Sequence, residues 1–365
     1  MWTPWSKSRR VKSPEARVLA FLTDYQDQHK TAAGLYAQAQ RRVELLDEFF
    51  RQWRSLLEPV RQRHFAAASP VRLGESFSSS AAYGSRREDY IRTDIVGAAA
   101  YVLFDNAGGP HRGLHEYVVE NLEGEFKIVD ILTHYSDPAL PSVDAATIAE
   151  LQRDCASDAA FIAVPEYEAS LDENRNFTDR EVRDPDDGEI SQASVTRVGE
   201  LSTATGILTI TDFGWDNHYA RPLAHTVVPG TYPVDRVTAF GRNAAVRVVF
   251  GERRPVSWKL ANCAGGENDT VGVDHGSLCI ADFTAYLSMT PRDKNVVFAR
   301  FADAPKPAAG SFGLGAGNVG FACETGWGDG RYPVYWGLDE DDRIVQLVVD
   351  FFVLVRKVDG EDRHI

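Results

Sequence analysis

The sequence has few cysteines and no long apolar stretch. Only four cysteines occur in 365 residues, without a Cys-X-X-Cys pair, which favours buried thiols over disulfide bonds or metal ligands. The longest apolar run near the C-terminus, Ile344 to Val355, is interrupted by Gln346 and Asp350. It is far shorter than the roughly 20 residues that span a bilayer as a helix. The N-terminus lacks the apolar segment of a secretory signal, so we expect a cytoplasmic protein.

Basic residues are also in the minority. The 39 lysines and arginines face 53 aspartates and glutamates, which gives a net charge of −14. This balance disfavours binding to nucleic acid or to an anionic membrane and permits a basic partner. A hydrophobic fraction of 44% with 25% charged residues is typical of globular proteins, and the length favours two domains.

The first domain, residues 1–140, has helical patterns followed by strand patterns. Ser13 and Pro14 predict a helix start, and helical periodicity continues to about Phe65. A break in the apolar stripe at His29 to Ala33 predicts two helices. The strands predicted after them are Ile95 to Phe104, a turn at Asn106 to Pro110, and a hairpin of His115 to Leu122 with Phe126 to Thr133. Helices before antiparallel strands predict an α+β fold.

Residues 141–199 are predicted to connect two domains. Ala145 to Cys155 fits a short helix. Glu166 to Glu189 contain ten acidic residues against three arginines, with Pro185 and Gly188 near the end. We expect an acidic linker or a long exposed loop there.

The last part of the chain, residues 200–365, is predicted to be mainly antiparallel β, as a sandwich or a partly closed barrel. A polar turn at Asp339 to Asp342 joins the last two strands. The predicted strands are Gly206–Thr211, Ala224–Val228, Ala244–Phe250, Val256–Asn262, Val296–Phe301, Val319–Cys323, Tyr332–Leu338 and Ile344–Val355.

Three motifs resemble cofactor or metal sites, and each is incomplete. Gly313 to Gly320 contain the letters of a dinucleotide fingerprint but lack a preceding strand and a following helix, so we expect a flexible loop. His115-Glu116 has Val119 where a zinc-binding helix needs a second histidine. A calcium-loop pattern from Asp184 has Val195 at the position of the bidentate glutamate. We therefore expect no cofactor and no metal.

Three clusters rich in glycine and aromatic residues carry the remaining signal: Val228–Val234, Val271–Gly276 and Thr325–Gly337. One interpretation is structural, with tight turns and a packed sheet end. The other is a surface for a ligand or partner, since aromatics beside one carboxylate suit recognition and no activated nucleophile is visible. Asp274 and His275 are adjacent and cannot readily meet on an extended strand. No catalytic residue is predicted; the candidate binding residues are Asp274, Trp327, Asp329, Tyr332, Tyr335 and Trp336.

These clusters, in this order, resemble a bacterial family catalogued as a domain of unknown function, number 4241. The likeness covers about residues 200–360 and includes the Gly326-Trp327-Gly328-Asp329-Gly330 string. The family pattern tends to have Asp-Ala-Gly where this chain has Asp274-His275-Gly276, which argues against a family-wide role for His275.

Residues 14–140 more loosely resemble the nuclear-transport-factor-2-like cone, a curled antiparallel sheet behind N-terminal helices. The segment Gly124 to Ile131 resembles a hairpin strand of that superfamily. Its bacterial members include immunity proteins of polymorphic toxin systems, and proteins with the C-terminal family occur in such neighbourhoods. The fusion implies a cytoplasmic immunity protein that binds a cognate toxin, with a basic toxin favoured by the charge.

Two alternatives stay open. The superfamily also hosts enzymes and small-molecule binders, in which case polar residues such as His115 and Asp130 would face into the cone. In the second alternative, the β domain is itself a toxin-neutralising enzyme or an adaptor, and the N-terminal cone forms a homodimer.

Overall fold

The computed structural model describes residues 11–40, 42–106, 113–165, 171–214, 220–266, 270–358 and 361–365. They divide into two compact units, Met1–Pro138 and Ala139–Ile365. Within these ranges, no helix combines the length and the apolar character that crossing a membrane requires.

Unit 1 consists of two helices and a four-stranded antiparallel meander in the order β1-β2-β3-β4. A short 3-10 turn, Val43–Leu45, joins the helices. The elements are α1 (Pro14–Ala39), α2 (Leu46–His64), β1 (Asp89–Val96), β2 (Ala99–Asp105), β3 (Leu114–Leu122) and β4 (Glu125–His134).

The first helix begins as predicted and continues past the predicted break. The Ser13 hydroxyl accepts a hydrogen bond from the Ala16 amide at 3.2 Å, and Pro14 occupies the first turn. The break at His29 to Ala33 was a wrong prediction, because His29 is part of the core. Its Nε2 lies 3.0 Å from the Ser78 carbonyl oxygen and its ring stacks on Phe77. The polar residue therefore extends the buried face of the helix, which ends only at Ala39.

The predicted single strand from Ile95 to Phe104 is two strands. Gly97, at φ 61°, reverses the chain so that Val96 pairs with Ala99. Because the flanking residues favour strands, this short turn has little signal in the sequence. The hairpin of β3 and β4 across Glu123 and Gly124 is confirmed. Most of the predicted turn at Asn106 to Pro110 lies outside the described residues.

Aromatic side chains fill the space between the helices and the sheet of unit 1. Phe21 of α1 and Trp53 of α2 are completely buried. Phe21 meets Tyr117 of β3 edge-on, and Tyr117 in turn meets Phe104 of β2. The apolar residues that recur along one face of α2, from Leu46 to Val60, form the α2 side of this core.

Unit 2 is built on a large antiparallel sheet with short helices. Its elements are α3 (Ala145–Leu151), β5 (Ile162–Ala163), α4 (Glu173–Asn176), β6 (Arg180–Arg183), β7 (Ile190–Thr203), β8 (Leu208–Asp212), β9 (Gly230–Ala239), β10 (Arg242–Val249), β11 (Ser257–Leu260), β12 (Thr270–Val273), β13 (Ser277–Asp282), α5 (Phe283–Leu287), α6 (Pro291–Ala302), β14 (Ala309–Gly315), β15 (Asn318–Glu324), β16 (Gly330–Leu338), β17 (Ile344–Asp350), β18 (Val355–Val358) and β19 (Glu361–His364).

The main sheet has 13 strands and follows the order β5-β11-β16-β17-β10-β9-β7-β15-β13-β8. Strands β12, β14 and β6 pair onto it at β16, β15 and β7, while β18 and β19 form a separate hairpin. The α+β class is confirmed. Over the described residues the path of the sheet ends at β5 and β8, so it does not close into a barrel.

Two predicted strands are absent from the described residues, and a local sequence signal explains the first. Val296 to Phe301 belong to helix α6, because Thr290 caps its start by accepting from the Asp293 amide at 3.1 Å and Pro291 follows the cap. The strand predicted for residues 224–228 is not formed, and no strand lies among the described residues between β8 and β9. The turn at Asp339 to Asp342 joins β16 and β17 as predicted.

Two segments predicted as loops contain strands. The glycine-rich stretch from Gly313 to Gly320 lies in the β14–β15 hairpin, where Gly315 and Gly317 adopt positive φ. It therefore lacks the strand-to-helix geometry of a dinucleotide site. The acidic stretch from Glu166 to Glu189 was predicted to be a linker or an exposed loop. Its described part contains helix α4 and strand β6, and β6 pairs with β7.

Candidate functional site

An open pocket of about 480 Å³ lies in unit 2 where several turns of the sheet meet. We call it the Trp327 pocket. It is formed by the start of β10, the turn before β13, the segment before β14 and the loop between β15 and β16. The lining side chains used below are Arg242, Asn243, His275, Lys306, Glu324 and Trp327.

Trp327 is the large apolar side chain of this pocket, and 52% of it is exposed. The Cζ atom of Arg242 lies 4.6 Å from the centroid of the indole. The same guanidinium donates from Nη1 to the Gly326 carbonyl oxygen at 2.8 Å. Arg242 therefore holds both the ring and the backbone that precedes it, which fixes the orientation of an exposed tryptophan.

The loop that carries Trp327 is fixed by its own hydrogen bonds. Thr325 donates from its amide to the Gly276 carbonyl oxygen at 2.9 Å, and Asp329 accepts from the Gly276 amide at 2.9 Å. The Tyr332 hydroxyl donates to the Gly328 carbonyl oxygen at 2.8 Å. The Asp329 carboxylate and the backbone of Thr325 thus tie the loop to the turn before β13, and the Tyr332 hydroxyl ties it to β16.

Gly326 is required by close packing beside the tryptophan. A Cβ atom at this position would lie 2.3 Å from Cγ2 of Val353 and 2.5 Å from the Asn243 carbonyl oxygen. Neither distance is compatible with a side chain, so the loop reaches this position only with glycine.

The floor of the pocket is built around the buried amide of Asn243. Its Nδ2 donates to the carbonyl oxygens of Ala308 at 3.1 Å and Glu324 at 2.7 Å. Lys306 forms an ion pair with the Glu324 carboxylate. These contacts join β10, β15 and the segment before β14.

His275 lies on the opposite wall and is paired with a residue that the sequence analysis missed. Its Nδ1 is 3.3 Å from Oδ2 of Asp212, the last residue of β8. Burial raises the pKa of Asp212, although hydrogen bonds from His275 oppose the change. Asp274 precedes His275 and is exposed. The histidine therefore pairs with a carboxylate 63 positions away, which adjacency in the sequence does not reveal.

Apart from the exposed Asp274, the predicted binding residues divide into two groups. Trp327 lines the pocket, and Asp329 fixes the loop that carries it. Tyr332, Tyr335 and Trp336 are almost completely buried. They belong to β16, which lies between β17 on one side and β11 and β12 on the other. Tyr332 and Trp336 are part of the hydrophobic core of unit 2, whereas Tyr335 lines a second pocket next to β11.

The four thiols are free, and two of them are fully buried. Burial raises the pKa of Cys155 and Cys263 to about 11 and that of Cys279 to about 12. Burial also raises the pKa of Cys323. The prediction of buried, unpaired thiols is confirmed for Cys279 and Cys323, while Cys155 and Cys263 are half-buried.

Unit 1 contains a buried polar group of its own. Glu88 accepts a hydrogen bond from the Tyr117 hydroxyl at 2.6 Å, and its Oε1 lies 3.2 Å from Nδ1 of His115. The His115 ring packs against Tyr83 and Tyr117. Asp130, the other residue expected inside the cone, is half-buried, and burial raises its pKa.

Comparison with known proteins assigns a likeness to the C-terminal part. Residues 201–349 match a family described as "Protein of unknown function (DUF4241)". This range contains the lining residues of the Trp327 pocket and confirms the resemblance drawn from the three clusters. No curated protein and no solved structure matches the chain significantly.

Proposed function

We propose that the protein is an immunity protein, acting in the cytoplasm, that neutralises a cognate bacterial toxin by binding to its surface. The observation that carries this proposal is the half-exposed Trp327 held by Arg242. Tryptophan and arginine are the residue types most often found to dominate the affinity of protein interfaces. Here they form one preorganised contact surface.

Preorganisation matters because binding normally immobilises side chains at an entropic cost. Ordering a side chain of this kind costs about 0.5–1.5 kcal/mol on association. In the free protein, Arg242 and the bonds of the loop from Thr325 to Tyr332 already restrict the indole. A partner that covers Trp327 gains apolar contact with little of this cost.

The distribution of charge supports a basic partner for unit 2. Met1–Pro138 contain equal numbers of acidic and basic residues, so the whole net charge of −14 falls on Ala139–Ile365. An acidic surface accelerates association with a basic toxin domain, such as a nuclease, and makes the association rate depend on salt. The acidic residues of the stretch from Glu166 to Glu189 contribute to this field.

The N-terminal unit supports the proposal in a weaker way. Two helices before an antiparallel meander are compatible with a nuclear-transport-factor-2-like cone, the type of domain found in bacterial immunity proteins. Its interior is filled by Phe21, Phe104 and Tyr117, and His115 packs into the same aromatic group. This filling favours binding through a surface over the alternative of an enzyme or small-molecule binder that uses the cone.

Co-expression tests the proposal. The proposal requires a toxin domain encoded by a neighbouring gene, and this domain is expressed in a sensitive bacterial host with the wild-type chain, with Trp327→Ala or with Tyr135→Ala. Tyr135 is an exposed aromatic of unit 1, at 64%, and serves as the matched control. We expect the wild type and Tyr135→Ala to restore growth and Trp327→Ala to protect less. Absence of both a complex and protection with the wild type would contradict the proposal.

A further inference from the structure

Three side chains of metal-ligand type converge in unit 2, and none of them lines the Trp327 pocket. Glu173 begins α4, Asp350 ends β17, and His364 ends β19. Their exposures are 1%, 0% and 4%. One ligand atom from each lies within 4.8 Å of the others. Three elements distant in sequence thus place two carboxylates and one imidazole at a single buried point.

The spacing of the ligand atoms fits one small cation. Nε2 of His364 lies 3.0 Å from Oδ2 of Asp350 and 3.7 Å from Oε1 of Glu173. In a tetrahedral zinc site with bonds of about 2.0–2.1 Å, ligand atoms are about 3.3 Å apart. The two distances from His364 therefore differ from the spacing around a single ion by only a few tenths of an ångström.

Unpartnered oxygen atoms are an independent sign of a missing cation. Oε1 of Glu173 and Oδ1 of Asn176 are buried and have no hydrogen-bond partner. Asn176 has no exposed surface, and its Nδ2 donates to Oε2 of Glu173 at 2.9 Å. Leaving a buried acceptor without a partner costs about 1–3 kcal/mol, and more when it is charged. A cation bound by the cluster would supply a partner to Oε1 of Glu173.

The charges lead to the same conclusion. Two ionised carboxylates and one imidazolium sum to one negative charge at the buried cluster, and buried charge is unfavourable unless it is compensated. Arg180, whose charge acts on His364, offsets part of it from outside the cluster. A divalent cation beside a neutral imidazole balances the two carboxylates completely.

We propose that Glu173, Asp350 and His364 bind one Zn²⁺ ion. The imidazole favours a transition metal over Mg²⁺ or Ca²⁺, and the carboxylates add two oxygen ligands that zinc accepts, so the three side chains fill three of the four tetrahedral positions. Because the site is enclosed, the ion has a structural role. It ties α4 and the strand β19 to the end of β17.

The metal content of the full-length chain tests the proposal. The chain is purified without a polyhistidine tag from zinc-supplemented cells, and zinc is measured by mass spectrometry in the wild type, Glu173→Gln and Asp350→Asn. We expect about one zinc ion per wild-type chain and less than about a tenth of that in both variants. Affinity should fall more than about 100-fold, since losing a second-shell partner alone costs 10–100-fold.

A matched control is the buried Glu116–His134 pair, whose atoms lie 3.2 Å apart and which, in the part of the chain that the structure describes, does not belong to a three-ligand cluster. Glu116→Gln should retain the zinc. If the carboxamide variants fail to fold, the wild type decides, because removal of zinc by a chelator should lower its Tm by several degrees and added Zn²⁺ should restore it.

Two results would overturn the proposal. One is a wild-type chain without zinc whose Tm responds to neither chelator nor Zn²⁺, which would mean that protons hold the cluster together. The proton would in that case be held by Glu173, because burial and the neighbouring Asp350 raise the pKa of Glu173 to about 8. The other is zinc retained by both Glu173→Gln and Asp350→Asn, which would identify an adventitious ion elsewhere.

Discussion

Arg242 makes two contacts that both restrain Trp327. Its guanidinium lies 4.6 Å from the indole centroid, and it donates to the carbonyl oxygen of Gly326 at 2.8 Å. The tryptophan is thereby exposed and ordered at once. This combination distinguishes it from Trp336, which lies nine positions further on and is completely buried in β16.

Replacing Arg242 should therefore weaken partner binding more than it weakens the fold. We expect Arg242→Ala to lower the affinity for the toxin domain about 10-fold, because the cation–π contact is worth about 0.5–2 kcal/mol and the indole loses its fixed orientation. Arg242→Lys keeps the charge but lacks the planar stacking surface, so its affinity should lie between those of the wild type and Arg242→Ala. Titration calorimetry measures the affinities. An unchanged affinity in Arg242→Ala would contradict this role.

The packing around Gly326 predicts a selective loss of stability. Gly326→Ala would force a Cβ into Val353 and the Asn243 backbone, so we expect a loss of about 1–3 kcal/mol in the free energy of unfolding. Gly272→Ala is the control, because nothing lies within 4 Å of its added Cβ, and it should change stability by less than about 0.5 kcal/mol. Urea unfolding measures both. Equal stability of the two variants would disprove the close packing.

The Asp282 carboxylate predicts an acid dependence of stability. It accepts hydrogen bonds from Thr203 Oγ1 at 2.7 Å and Thr205 Oγ1 at 2.8 Å, from neighbouring amides, and from the Ala285 amide at the start of α5. Burial opposes ionisation, but these bonds hold the pKa of Asp282 below its usual value of 3.8. We expect Asp282→Asn to cost about 1–3 kcal/mol at pH 7.

The direction of this pH dependence follows from the pKa of Asp282, which is lowered in the folded state. The contribution of the Asp282 carboxylate is complete above pH 3.8 and is lost as the pH falls through its folded-state pKa. Thermal unfolding of wild type and Asp282→Asn between pH 2.5 and 7 should show a stability difference that narrows at the acid end. The exposed Asp274→Asn is the control. A difference that is constant with pH would contradict the assignment.

The half-buried thiols should react slowly in the native state. With pKa values of about 11, Cys155 and Cys263 carry about 100-fold less thiolate at pH 8 than a thiol at the reference value of 9. The reaction with Ellman's reagent should therefore be at least about 100-fold slower in buffer than in urea. Serine variants at the two positions show which cysteine gives each kinetic phase of the reaction. Native rates equal to those in urea would refute the prediction.

Local signals in the sequence were sufficient for some elements and not for others. The β3–β4 hairpin and the Asp339 to Asp342 turn were predictable, because turn residues separate apolar runs of the right length. The continuity of α1 was not, because the partners of His29 lie about 50 residues away at Ser78 and Phe77. Helix α6 was misread because its Val296 and Val297 favour strands, whereas its cap at Thr290 decides the outcome.

The candidate site was predictable only in part for a similar reason. The sequence placed Trp327 and Asp329 in one cluster with Tyr335 and Trp336, but which aromatics are exposed depends on which strands flank β16. Arg242, Asn243 and Asp212 come from distant strands and have no local motif. The same holds for the cluster of Glu173, Asp350 and His364, whose members span 192 positions of the chain.

Under the proposed function, Trp327 is the main contact of the surface that binds a toxin. The most direct test is the Kd of the purified chain for the toxin domain encoded beside it. We expect wild type and Tyr135→Ala to bind within threefold of each other, and Trp327→Ala to bind at least about 30-fold more weakly, as for a dominant interface residue. A Trp327→Ala chain that folds and binds as tightly as the wild type, or a wild type that does not bind, would contradict the account.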